Sequence, residues 1–389
     1  MGTSTPGSQS ALREANLRRV LRAVRTAGSL TQAEIVRSTG LSAATVSNLV
    51  RKLQDSALVV VTPSATGRRA QIVSLSQLEG LAVGIDLGQA HLRCTICDLD
   101  YQVRIQDKIP YNSSEGDLGA VEWLVRTLLQ RARLDRDQVR GVGVSVPGLL
   151  DSVTGAARSA LVAGRPGTDI AEELSDRLGL PVRLVPAVHA AALGELTCGV
   201  SRSIDDLVYI QLSTSVEAAL VLGGEVYSGS DGLAGQFGHI AVDESDRICR
   251  CGRRGCLETV VGGPYLVGLL PGATRDRPTL RDVVQSAVAG DFSSRRVIGD
   301  AGRAVGTVAA MVCNVLNPRQ IVLGGELAMA DELLLDPIRQ VLRQRALPAA
   351  AELVDVRCGE LGDRAVVFGA VATVVREIDV VDGSGALLA

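Results

Sequence analysis

The sequence predicts an α/β protein that carries a separate, mainly helical head, and three observations predict it. From about residue 80 onward, strand-like apolar segments alternate with helical stretches. Residues 11–75 read instead as helix, helix, helix and then two short strands around a turn. Charge divides at the same place: residues 1–75 hold ten basic side chains against three acids, a net +7, so the remainder carries −10 within a total of −3. A basic segment on an acidic body suits a polyanion-binding module joined to a second unit. The 389 residues, 46% apolar and 21% charged, suffice for two or three domains and exclude a disordered chain. With aromatics at 2%, the core must be built from Ala, Val, Leu and Ile.

In the head, Leu12, Leu17, Leu21 and Val24 recur at helical spacing until Gly28 stops the run. Thr31 caps a second short helix, Glu34 completes a capping box, and Gly40 ends it. Ser42 caps a third helix that runs to about Gln54, with Val46, Leu49, Val50 and Leu53 on its buried face. Its outward positions are Ala43, Ala44, Thr45, Ser47, Asn48 and Arg51, small or hydrogen-bonding residues suited to close approach to base edges in a major groove. Leu58–Thr62 and Gln71–Leu75 read as strands around Ala65-Thr66-Gly67, with Arg68 and Arg69 at the tip. This is the order of a winged helix-turn-helix that binds double-stranded DNA. By role, Arg51, Arg68 and Arg69 face phosphates or the minor groove, whereas Thr45, Ser47 and Asn48 read bases. Thr31 and Gln32, at the start of the second helix, complete the DNA surface.

In the body, strands are expected at Leu81–Leu87, Gly141–Val146, Val182–Val185, Leu207–Leu212, Ala218–Val221 and Gln320–Leu323. The first ten residues lack the apolar run of a secretory signal. No stretch reaches the roughly 18 apolar residues of a membrane span; Ala365–Val375 comes nearest, and Arg376 ends it. A cytoplasmic protein without membrane contact is expected, so its eight cysteines should not form a disulfide framework. Cys249, Cys251 and Cys256 lie within eight residues, and His239 stands ten residues upstream. Three thiolates and an imidazole make the closed tetrahedral set that structural Zn²⁺ prefers, with no position left for a catalytic water. Cys94, Cys97, Cys198, Cys313 and Cys358 read as core or incidental thiols.

Particular motifs make this reading specific. Asn16, Leu30-Thr-Gln-Ala-Glu-Ile35 and Thr39-Gly-Leu-Ser-Ala-Ala-Thr-Val-Ser47 resemble the DNA-binding domain of ROK-family repressors. Gly141-Val-Gly-Val-Ser-Val-Pro-Gly148, Gly194-Glu195, Gly235-Gln-Phe-Gly-His239, the cysteine block to Glu258, and Leu316-Asn-Pro-Arg-Gln-Ile-Val-Leu-Gly-Gly325 resemble the ROK body. The resemblance implies an actin-like, duplicated ribonuclease-H-like ATPase fold with a zinc knuckle. Its lobes would be residues 80–195, completed by a C-terminal helix over 365–378, and residues 196–364.

It also implies a sugar kinase whose chemistry is gone. Family kinases carry Asp-x-Gly-Gly-Thr in the first phosphate loop; here Asp86 and Gly88 remain, but Gln89 and Ala90 replace the second Gly and the Thr. The second loop, Gly-Thr-Gly-x-Gly in the kinases, is Ser213-Thr-Ser-Val-Glu217, where Glu217 brings negative charge to a phosphate site. The catalytic Asn-Asp pair falls on Pro186 and Ala187, so no general base remains and ATP is not an expected cofactor. His189 reads as a helix-packing residue. Of the sugar contacts, His239 and Glu258 are kept, and Gln236 stands where the family has Glu.

The expectation is a sequence-specific transcriptional regulator, a repressor of carbohydrate-related genes modulated by a sugar or sugar derivative, acting as a homodimer or higher homo-oligomer on a palindromic or near-palindromic operator. Two alternatives stand beside it. One is control by a protein partner; the other is a bifunctional sugar kinase, against which Ala187 and Glu217 argue.

Overall fold

The computed structural model describes residues 9–56, 58–63, 71–76, 80–112, 116–151, 169–243, 246–270 and 278–378. In the head, α1 (Gln9–Ala27), α2 (Gln32–Thr39) and α3 (Ala43–Asp55) pack with a small sheet of β1 (Ser29–Thr31), β2 (Val59–Pro63) and β3 (Gln71–Leu75), in the order β1-β3-β2. Leu21, Ile35, Val46, Leu53 and Val73 form its core. Leu12, expected on the buried stripe, is exposed, because the packed stretch of α1 begins only at Leu17. The strand β1 was not expected; it pairs antiparallel with β3, Leu30 opposite Val73, and brings the chain into α2. The tip of the hairpin, with Arg68 and Arg69, lies outside the described residues.

Two five-stranded sheets build the body. The first contains β4 (Leu81–Leu87), β5 (His91–Asp98), β6 (Val103–Pro110), β7 (Val139–Val146) and β8 (Val182–Pro186), in the order β6-β5-β4-β7-β8. The second contains β9 (Leu207–Leu212), β10 (Val216–Leu222), β11 (Glu225–Tyr227), β12 (Gln320–Gly324) and β13 (Asp355–Cys358), in the order β11-β10-β9-β12-β13. In each, an antiparallel meander is followed by two strands that add in parallel, so one topology occurs twice. The outer face of the first sheet is covered by α4 (Leu118–Ala132) and α5 (Ile170–Leu178). The outer face of the second carries α7 (Glu258–Val261), α8 (Gly263–Gly268), α9 (Leu280–Val288), α10 (Phe292–Leu316), α11 (Glu332–Arg345) and α12 (Pro348–Leu353).

Between the sheets lie α6 (Ala187–Thr197) and α13 (Ala365–Ile378). Val367, Val371 and Val374 of α13 pack on Ala82 and Cys97 of the first sheet, while Ala191, Leu193 and Leu196 of α6 pack on Tyr209, Ala219 and Val221 of the second. The two helices cross backbone to backbone. A Cβ at Gly194 would collide with the Ala365 carbonyl, and one at Gly369 with that of Ala190. All eight cysteines are free of disulfides, and among the described residues no helix is long and apolar enough to cross a membrane.

Next to Gly194 at the crossing, the side chain of Glu195 is fully buried. The N–H groups of Val200, Glu360 and Leu361 donate to its carboxylate at 3.1, 3.2 and 2.9 Å, tying the loop after α6 to the loop before α13. Such charge-assisted bonds satisfy a buried anion without a cation. Glu195→Ala leaves three donors unpaired and should lower the stability of the body by about 2–4 kcal/mol. A fall in the urea midpoint at unchanged slope would register it; a variant as stable as the parent would show these bonds to be dispensable.

Candidate nucleic-acid interface and metal centre

The exposed face of α3 is built by its cap. Ser42 Oγ accepts the Thr45 N–H at 3.1 Å and shares a 2.8 Å hydrogen bond with Thr45 Oγ1, so these two hydroxyls serve each other. Ser42, Ala43, Ala44, Asn48 and Arg51 are exposed, whereas Thr45 and Ser47 are half-buried. Asn48 and Arg51 are therefore the long polar side chains on this face, with Lys52, passed over in the sequence, exposed beside them. Thr31 is committed to the start of α2: its Oγ1 donates to Glu34 Oε2 at 2.7 Å and accepts the Glu34 N–H at 3.3 Å, and its own N–H reaches the same carboxylate at 2.8 Å. Gln32 is the first residue of α2 and half-buried.

In the body, His239, Cys249, Cys251 and Cys256 converge, their ligand atoms all within 4.8 Å of one another. His239 ends a short 3₁₀ turn (Phe237–His239), and two antiparallel bridges, Ala241 to Cys256 and Ile248 to Arg254, fold the cysteine loop back on it. Gly255 has φ +71°, and a Cβ there would collide with the Asp243 carbonyl, so only glycine admits this close turn. The spacings suit a tetrahedral ion. With metal–sulfur and metal–nitrogen bonds of about 2.3 and 2.0–2.1 Å, S···S edges come to about 3.8 Å and S···N edges to about 3.5 Å. Cys251 Sγ lies 3.7 Å from Cys256 Sγ, and Cys249 Sγ lies 3.5 Å from His239 Nδ1. Burial pushes the Cys256 thiol up to about 12, while the Arg253 N–H draws that of Cys251 below its usual value. Three sulfurs and an imidazole nitrogen this close make a donor set that fits one cation.

Of the residues implied as sugar contacts, Gln236 opens the 3₁₀ turn that His239 closes, and Glu258 reaches the same turn from the start of α7. The carboxylate of Glu258 is already engaged. Its Oε2 accepts the Val216 N–H at 3.2 Å, and Arg250 lies against both of its oxygens. Glu217 projects from the face of β10 that looks between the sheets; burial lifts its carboxyl above the usual range, against a 3.3 Å hydrogen bond from Ser215 Oγ.

The first phosphate loop is likewise filled from within. His91 Nε2 lies 2.8 Å from Asp86 Oδ2, and the imidazole sits over Gly88, where a Cβ would strike it. Pro186 and Ala187 stand at the N-terminus of α6 without any side-chain hydrogen bond to offer. His189 one turn on is buried, and burial pushes its imidazole down to about 4. A cleft of about 980 Å³ runs along α6 past Pro186, His189, Leu193 and Asp151, and Leu21 of the head also lines it.

The like-ordered sheets with helices between them form an actin- and hexokinase-like body, here joined to a winged helix-turn-helix. Residues 82–377 match the ROK family and residues 18–70 match the MarR family, and the chain belongs to the ROK family. It is 25% identical to the xylose repressor of Caldicellulosiruptor bescii, over 96% of this chain and 98% of that one. It is 26% identical to the DNA-binding transcriptional dual regulator NagC of Escherichia coli strain K12, over 96% of each. The crystal structure of a ROK family transcriptional regulator, a homolog of the E. coli MLC protein, superposes with a TM-score of 0.74 at 26% identity, covering 96% of this chain and 97% of that chain.

The cap of α3 yields a direct test. Ser42→Ala removes the bond to the Thr45 N–H and should cost about 1 kcal/mol in thermal or urea unfolding of the head. Asn48→Ala, on the exposed face, should change stability by less than about 0.5 kcal/mol.

Proposed function

We propose that the chain is a DNA-binding transcriptional regulator of carbohydrate-related genes, a repressor modulated by a sugar or sugar derivative, and that its kinase-like body performs no phosphoryl transfer. The carrying observation is a pairing. A winged helix-turn-helix with an exposed Asn48–Arg51 face is joined to a sugar-kinase fold whose catalytic positions are Pro186 and Ala187. Similarity over 96% of the chain to a xylose repressor and to NagC supports the same reading.

In this reading residues 11–75 bind DNA. Ser42, Ala43, Ala44, Thr45, Ser47 and Asn48 approach bases; Thr31, Gln32, Arg51, Arg68 and Arg69 meet the backbone or minor groove. Residues 80–195 with 365–378, and 196–364, are the two lobes of an effector-binding body. Two copies pair in the cytoplasm to place their α3 helices in successive major grooves of a palindromic operator, about 34–36 Å apart. His239, Cys249, Cys251 and Cys256 hold a structural Zn²⁺, which fixes the turn bearing Gln236 and the start of α7 bearing Glu258. When bound, the ion supplies folding free energy and no reactive water.

Mapping the genomic DNA bound by the protein tests the whole reading, because it yields the operator and the neighbouring genes. On that operator, Arg51→Ala or Arg68→Ala should weaken binding to all sequences and reduce the salt slope by about one. Asn48→Ala should instead relax preference at one base pair, at a cost of about 1–3 kcal/mol. No preference for any duplex at physiological ionic strength, or ATP turnover with a hexose, would overturn the proposal.

Cys251→Ser should release the metal and lower the melting temperature of the body, with metal content read by mass spectrometry. An unchanged metal content would refute the site. Pro186, Ala187 and Gln236 also favour a second reading, control by a protein partner. It gains if no sugar shifts operator affinity.

A further inference from the structure

We propose that Arg250 is a built-in competitor for the effector, a specificity-determining residue that holds Glu258 closed until a vicinal diol displaces it. The inference rests on the reading of the body as a sugar sensor and adds a residue to it.

The geometry is a fork. Arg250 Nε lies 2.8 Å from Glu258 Oε1, and Arg250 Nη2 donates to Glu258 Oε2 at 3.1 Å, so one guanidinium engages both carboxylate oxygens. Two N–H donors in a fixed plane are the strongest partner a carboxylate finds among side chains. The remaining donor to Glu258 is the Val216 N–H, which belongs to the sheet and stays in place. Two neighbouring hydroxyls of a sugar ring present two O–H donors side by side, the same pattern that the fork presents. A ligand with a single hydroxyl replaces only half of it. To take both hydroxyls at once, Glu258 exchanges one bidentate partner for another.

Burial says which partner moves. The Glu258 side chain is 11% exposed and that of Arg250 is 60% exposed, so the acid is the fixed wall and the guanidinium the movable cover. Arg250 stands between Cys249 and Cys251, two members of the His/Cys cluster, and Cys249 N–H is bonded to the Arg253 carbonyl at 2.8 Å. With its backbone pinned on both sides, the arginine opens by rotating its side chain into solvent. A shift of the loop is not required. Glu217 lies in the same electrostatic field, where Arg250 favours its charged form and Glu258 opposes it. Arg250 thus sets a threshold: the effector must be concentrated enough, or rich enough in adjacent hydroxyls, to win Glu258 from it.

The test compares the full-length, metal-loaded protein with Arg250→Ala and Arg250→Lys. D-Xylose, D-glucose and N-acetyl-D-glucosamine are each titrated by calorimetry and by shift of melting temperature. A half-exposed ion pair of this kind corresponds to about fivefold in affinity, so Arg250→Ala should bind at least one of these sugars about fivefold more tightly than the parent. Arg250→Lys, a single-point cation without the fork, should fall between. Adding Glu258→Gln to Arg250→Ala should erase the gain, which loss of a merely structural arginine would not do. Metal content and operator affinity without sugar should match the parent. Equal affinities for parent and Arg250→Ala, or no binding of any of the three sugars to Arg250→Ala, overturn the proposal. Operator binding read in the same preparations separates the two failures, because loss of operator recognition by the parent sinks the regulator reading whatever the sugars do.

Discussion

The buried carboxylate of Glu195 fixes the relation of the two helices on which the body is assembled. It has no cation partner; three backbone N–H groups from two loops hold it, one before α13 and one after α6. An anion taken out of water costs several kcal/mol unless its lone pairs are met, so the loops can close only in the arrangement that aims those donors inward. The same arrangement sets Gly194 against Ala365 and Gly369 against Ala190, where there is no space for a side chain. Each sheet then packs its inner face on this crossed pair, α13 on the first and α6 on the second. Gly194 and Glu195, adjacent in sequence, thus supply the two halves of one constraint: the closeness of the crossing and the latch that keeps it.

The fold needs this constraint and does not need the kinase chemistry, which explains how one survives without the other. Pro186 is tolerated where a catalytic Asn would stand because it precedes the first turn of α6, where no N–H is required of it. In the first phosphate loop the retained Asp86 has found His91, and the imidazole fills the space over Gly88. Glu217 stands where the kinases have a loop glycine and lies in register opposite Gln211, inside β10. Pro186 removes a side chain that chemistry would need, and Glu217 puts a half-buried side chain where the kinases have glycine. Reversing one of them would restore neither the general base nor the anion cradle.

Much of this was legible in the sequence, and the exceptions have physical causes. The head could be read because caps, glycines and apolar spacing are local: Thr31, Glu34, Gly40 and Ser42 mark the helix boundaries found in the structure. The metal cluster could be read because cysteine spacing specifies it. The stretch holding Cys94 and Cys97 read as strand-like and is β5, but β6 was passed over, because it is an edge strand with Arg104, Gln106 and Lys108 on its open face. β1 was missed because three residues carry no periodicity, and only pairing with β3 makes them a strand. The sequence placed Glu258 among the sugar contacts, but not that Arg250 covers it, since a pairing across eight residues depends on how the cysteine loop folds back.

The crossing of α6 and α13 bears on how an effector could act under the proposed function. A ligand shifts an equilibrium only by the difference in its affinity for the two states. A sugar held by Glu258 and the 3₁₀ turn alone would bind one wall equally well in either arrangement of the lobes, and would change nothing at the head. To act, it must also touch the α6 side, where Pro186 and Ala187 offer shape and no side-chain hydrogen bonds. The crossing of α6 and α13 cannot slide without driving backbone into backbone, so any approach of the walls has to be a rotation of the sheets about that pair. Contacts of shape strengthen steeply with approach and vanish with a gap of about an ångström. Under the proposed function, Pro186 and Ala187 make a wall of shape that would report whether the cleft is closed.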